Sequence, residues 1–148
     1  MENNMDRMTY EQVRAMLLSC GERAARRYLE TAENEQNVYA LYANMASAMQ
    51  AAMGGASGMI FSTLFAGKAA EHAPASAITP KELAEQMRDG LQAIQELGHA
   101  EVGDKTMVDA LAPAVEAMLA HTDSFAGMFR AGAEAAHEGM ERTKEYTA

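Results

Sequence analysis

Apolar residues recur at helical spacing through most of the chain. Val13, Met16, Leu17, Cys20, Ala24 and Tyr28 share one helical face, and Thr9 with Gln12 makes a capping-box start, so a first amphipathic helix is predicted over about residues 9–30. Arg14, Arg23 and Arg27 occupy its other face. A polar joint, Glu30 to Gln36, separates it from a second helix carried by Val38, Leu41, Tyr42, Met45, Met49 and Ala52 and ended by the Gly54-Gly55 pair. After Gly58 the run Met59 to Ala66 mixes small and large residues without a charge and predicts a buried helix. Glu71 to Ile78, with Pro74, reads as a linker.

Thr79-Pro80-Lys81-Glu82 places an N-cap residue, a proline at the first helical position and an acid at the third, which starts a fourth helix running to about Leu97 with Gly98 at its C-cap. A fifth restarts at Thr106-Met107 and carries Met107, Leu111, Ala114, Val115 and Met118, with a kink expected at Pro113. Asp123-Ser124 opens the last helix, whose Phe125, Phe129, Gly132, Ala136, Gly139 and Met140 form a face of small and large residues suited to close packing. Six helices with short connections predict an all-α fold of antiparallel amphipathic helices, one domain over residues 1–148.

Composition agrees with helices. The chain is 49% hydrophobic but only 6% aromatic, with no tryptophan and three prolines. Its 148 residues suffice for a core, since a domain of this size buries roughly two-thirds of its unfolded surface. Most of the 13 methionines are expected to fill that core, the alternative being an adaptable apolar surface. A net charge of -9 opposes the phosphate backbone, and no basic stripe compensates, so nucleic acid is excluded as a partner. Cys20 is the single cysteine, which rules out an intrachain disulfide and a thiolate metal cluster. The start lacks the basic-then-apolar order of a signal peptide, and the stretch Ala51 to Ala66 is broken by glycine and hydroxyl residues. A soluble cytoplasmic protein without a membrane segment is expected.

Chemistry-bearing residues are few. Cys20 lies on the apolar face of the first helix, where a thiol is desolvated and packs as core. His72, His99, His121 and His137 lack zinc-site spacing and read as surface or loop-edge residues, with His99 set apart by its place beside Gly98. Two segments carry more information. Met53-Gly-Gly-Ala-Ser-Gly-Met59 exposes successive backbone N–H groups where a helix begins, an anion cradle in principle and otherwise a structural turn. Gly98-His-Ala-Glu-Val-Gly-Asp-Lys-Thr-Met107 joins two helices, with Asp104 or Thr106 placed to cap the second.

In order along the chain, Gly54-Gly-Ala-Ser-Gly58, Phe61-Ser-Thr-Leu-Phe65, Arg88-Asp-Gly90, Gly98, Gly103-Asp-Lys-Thr-Met-Val-Asp-Ala-Leu-Ala-Pro113 and the run from Ala133 to Lys144 resemble the L subunit of dihydroxyacetone kinases, the Dak2-type domain. That resemblance implies a barrel of antiparallel amphipathic helices holding ADP or ATP at one end, with phosphates reached through paired magnesium ions. It implies that Ala56 and Ser57 contact the phosphates, that Gly54 and Gly55 let the backbone approach, and that Gly98 and Met107 line the adenine end. The implied reaction passes the terminal phosphoryl group to dihydroxyacetone held on a partner K subunit. The donor is left open between free ATP and a phosphotransferase-system protein that recharges resident ADP, and a homodimer is also left open. The catalytic residues are not identified.

The chain departs from the family at the metal. The GDxDHG-like loop whose carboxylates hold magnesium in the family is absent between Leu29 and Val38, and a glycine- and arginine-bearing closing segment is expected to be absent after Ala148. No metal ligand is assigned. The alternative is a non-catalytic helical interaction protein of the same descent, which keeps the scaffold and binds a kinase partner through an apolar face.

Overall fold

The computed structural model describes residues 6–20, 28–30 and 36–147, with the side chains of residues 16–20 outside that description. Contacts divide the chain into two compact units, Arg7–Thr79 and Pro80–Ala148 with Met1–Asp6.

In the first unit the capping box forms as its sequence demands. Gln12 Oε1 accepts the Thr9 N–H at 2.9 Å and Thr9 Oγ1 accepts the Gln12 N–H at 3.3 Å, opening α1, Tyr10–Cys20. Residues 28–30 are again helical, and the Arg14 Nε–H donates to the Leu29 carbonyl at 2.7 Å, tying that turn to α1. The predicted roles of Cys20, Arg23, Ala24 and Arg27 fall outside the described residues or side chains. A two-residue ladder pairs β1, Met8–Thr9, with β2, Ala77–Ile78, antiparallel, with Met8 opposite Ile78. The Tyr10 N–H extends this join to the Ser76 carbonyl at 2.9 Å. The linker expected at Glu71 to Ile78 therefore contains a strand, preceded by a 3-10 turn, Ala69–Glu71.

Asn37 does two jobs. Its side-chain oxygen accepts the Tyr39 N–H at 3.2 Å, capping α2, Val38–Met53, and the Ala75 N–H at 3.1 Å, which holds the segment before β2 against the helix start. Val38, Leu41, Tyr42, Met45 and Met49 are buried along α2, matching the expected face. Helix α3, Gly55–Ala66, begins four residues earlier than expected and is only partly buried, with Gly58, Ser62 and Leu64 turned inward. Ala43, Ala46, Ser47 and Gln50 of α2 line a common cleft with Ser62, Thr63 and Ala66 of α3.

The second unit contains α4, Pro80–Gly98, α5, Val108–Ala120, and α6, Phe125–Arg142. Ser124 Oγ accepts the Gly127 N–H at 3.0 Å as N-cap of α6, and Asp6 accepts the Phe125 N–H at 3.3 Å beside it. Helix α4 does not stop at Gly98. It includes that residue, and His99 takes the left-handed conformation with φ 52°, its N–H bonded to the Gln95 carbonyl at 2.7 Å. Helix α5 continues through Pro113.

Small residues set the α5–α6 contact. Proline at 113 has no N–H for the carbonyl of Asp109 one turn earlier, and the bare Cα of Gly139 approaches that carbonyl. A Cβ at Gly139 would overlap the Asp109 oxygen and come within 2.8 Å of Pro113 Cγ, whereas one at Gly132 would meet Met118 Cγ at 2.8 Å. Residues late in α6 thus face residues early in α5, an antiparallel pair. The buried face of α6 is Phe125, Met128, Gly132 and Gly139. Phe129 and Met140, expected inside, are 40% and 48% exposed, because the glycines draw the contact line one step around the helix. Met45, Met49, Met118 and Met128 fill the core, but Met59, Met107 and Met140 do not.

Gly139→Ala should therefore destabilise the chain by about 1–3 kcal/mol, since the obstacle is backbone and proline ring. Gly132→Ala should cost less, because the flexible Met118 side chain can turn aside. Urea unfolding of the two variants checks the order.

Candidate functional site

The glycine turn lies in the first unit, at the junction of α2 and α3. Gly54 has φ 60° and Gly55 φ 58°, left-handed values that side chains rarely adopt, and nothing stands within 4 Å of where a Cβ would be on either. This pair ends α2, through the Gly54 N–H bonded to the Gln50 carbonyl at 3.1 Å, and starts α3 within one residue. Gly54, Gly55, Ala56 and Ser57 are all exposed. No side chain caps α3, and its first turn carries no acid. The positive end of that helix dipole stands at an exposed turn with no acid of its own.

Gly98 and Met107 lie in the second unit, at the two ends of the loop between α4 and α5, and both are exposed. Asp104 does not cap α5. Its carboxylate accepts the Glu101 N–H at 2.8 Å and closes a turn inside the loop. Thr106 Oγ1 does accept the Val108 N–H, at 3.2 Å, as expected of a residue at the helix start.

The residue that dominates this loop is Asp109, one position inside α5 and 2% exposed. One carboxylate oxygen accepts the Gly103 N–H at 2.6 Å and the other the Thr106 N–H at 2.7 Å. The Gly103 N–H holds its pKa below the ordinary 3.8; desolvation opposes this, and the Thr106 and Lys105 amides add to the lowering. Asp109 also supplies the negative charge that the start of α5 favours. The two turns thus differ in sign: among the described residues the first has no side-chain cap and no acid in its first turn, while the second already contains its anion.

Magnesium needs several oxygen donors brought together. Among the described residues no three His, Cys, Asp or Glu side chains are so placed, and Asp104 and Asp109 are occupied by amide hydrogens. The described donors do not fit a magnesium pair. Of the joint between Leu29 and Val38, residues 31–35 lie outside the described residues.

A predominantly helical chain with a glycine turn at a helix start without a side-chain cap and a carboxylate-clamped loop is the class of structure seen here. The sequence model of the DAK2 domain matches residues 17–148, and the chain belongs to that family. It is 37% identical over 75 residues to the PEP-dependent dihydroxyacetone kinase, ADP-binding subunit DhaL, of Escherichia coli K12, covering 51% of this chain and 36% of that protein. It is 33% identical over 109 residues to the dihydroxyacetone kinase of Citrobacter freundii, covering 72% of this chain and 18% of that one. The crystal structure of the C. freundii kinase superposes with a TM-score of 0.59 at 28% identity, over 88% of this chain and 24% of that one. The chain therefore spans about a third of the E. coli relative and less than a quarter of the C. freundii enzyme. Among the described residues no helix is long and apolar enough to cross a membrane.

Because its folded pKa lies below the ordinary value, Asp109 stabilises the loop above pH 3.8 and releases it as the pH falls through the lower, folded pKa. The amide shifts of Gly103 and Thr106 should stay constant from neutral pH to about 4 and then move together with a midpoint below 3.8. An NMR titration of the labelled chain reads this directly.

Proposed function

We propose that this chain is the nucleotide-binding subunit of a dihydroxyacetone kinase and binds ADP or ATP through residues of its two glycine-bearing turns. The observation that carries the reading is the exposed Gly54–Ser57 turn at an uncapped, acid-free helix start. Phosphates go to that turn, where the Ala56 and Ser57 amides meet them and Gly54 and Gly55 leave room. The uncharged adenine goes to Gly98 and Met107, where a phosphate would meet the carboxylate of Asp109. Family membership supports this division, and the E. coli relative carries ADP-binding in its name.

The terminal phosphoryl group passes to dihydroxyacetone held on a partner K subunit. The donor is ATP, or a phosphotransferase-system protein that rephosphorylates resident ADP, and the PEP-dependent name of the E. coli relative favours the second source. No step is routed through magnesium, since the described donors do not fit it. The second reading is a helical interaction protein of this family that binds its kinase partner without transferring phosphate. The exposed Phe129 and Met140 on α6 are the apolar side chains it would use.

Calorimetry with ADP, with and without magnesium, tests the first reading, which predicts saturable one-to-one binding. Ser57→Asp should weaken ADP by about tenfold or more through charge repulsion while leaving the melting temperature unchanged or raised, because an acid at a helix start is favourable. Absence of ADP binding under either condition, with a K subunit still retained, would establish the second reading instead.

A further inference from the structure

Gly98 and Met107 are exposed and Val102 is 56% exposed, so these parts of the connection between α4 and α5 gain little from packing. Two of the loop's non-glycine residues, His99 at φ 52° and Lys105 at φ 60°, stand in the left-handed region, and Gly103 has φ 108°. Such a backbone persists only where something over-determines it. At its start the loop has the His99 N–H on the Gln95 carbonyl, with the Gln95 side chain reaching the Ala100 carbonyl at 3.4 Å. In its second half one side chain spans the strained residue: Asp109 grips residues 103 and 106 on either side of Lys105, and Thr106 Oγ1 in turn accepts the Val108 N–H. Asp109 itself is held in place, its backbone carbonyl lying against Gly139.

We propose that Asp109 is a positioning residue for the nucleotide: by clamping Gly103 and Thr106 it sets where Met107 and the adenine end of the site stand. It touches no ligand. A carboxylate is the side chain for this task because it accepts at both oxygens, whereas an amide turns a donor toward one of the two N–H groups. The inference rests on the proposed function, since it needs the Gly98–Met107 loop to be the adenine end.

The experiment compares the 148-residue chain with Asp109→Asn, titrating each with ADP, with adenosine and with pyrophosphate, and recording the Gly103 and Thr106 amide shifts. Loss of one charge-assisted hydrogen bond should weaken ADP and adenosine by about tenfold, while pyrophosphate, read at the Gly54–Ser57 turn, changes by less than about twofold. The two amide shifts should move at the same time. Gly103→Ala is the second variant, because it strains the clamped backbone where nothing lies within 4 Å and leaves the core intact. It should show the same selective loss, so the proposal remains testable if Asp109→Asn does not fold. Equal weakening of all three ligands, or unchanged adenosine binding with displaced amide shifts, would overturn the positioning role and leave the nucleotide reading standing. A parent chain that binds neither ADP nor adenosine would overturn both.

Discussion

The carboxylate of Asp109 receives the amide hydrogens of Gly103 and Thr106 while the carbonyl of the same residue lies against Gly139. Each contact depends on the other. Pro113 leaves the carbonyl without its helical partner, and Gly139, lacking a side chain, lets α6 come close to it. That closeness places the first turn of α5, and the buried carboxylate there turns a nine-residue connection with three left-handed positions into a fixed shape. In the carboxy-terminal unit, the packing of two helices and the geometry of an exposed loop are therefore joined at one residue.

The amino-terminal unit solves a different problem with backbone amides alone. Two glycines let one helix end and the next begin within a single residue, which leaves the start of α3 open, uncapped and free of acids. Electrostatics then separates the two turns, since the first favours an anion and the second already holds one. A nucleotide has one strongly charged end and one neutral end. In the proposed reading the charged end goes to the open helix start at Gly54–Ser57, whose first turn carries no acid.

Much of this was legible in the residues before the structure. Thr9 with Gln12, Pro80 after Thr79, and Ser124 announce helix starts through capping chemistry that is local in sequence, and each helix begins where its signal stands. The six expected helices correspond to α1–α6 among the described residues. Long-range bonds were not legible. The β1–β2 pair spans only two residues on each side, too short to show alternation, and Asn37 reads as one more polar residue until Ala75 is brought to it. Asp104 and Thr106 read as equal candidates for the cap; Thr106 does take the Val108 N–H, while Asp104 closes a turn inside the loop. The side chain that holds the loop is one residue inside the helix, where an acid is ordinarily a dipole effect. Phe129 and Met140 were misplaced because helical period identifies an apolar face but does not reveal which line of it the glycines bring into contact.

The most direct measurement is the map of amide shifts when ADP is added to the labelled chain. The proposed binding should perturb Gly54, Gly55, Ala56 and Ser57 together with Gly98 and Met107, with the larger changes in the first group when pyrophosphate replaces ADP. Perturbations confined to one of the two turns, or shifts along α6 with both turns unmoved, would contradict the account.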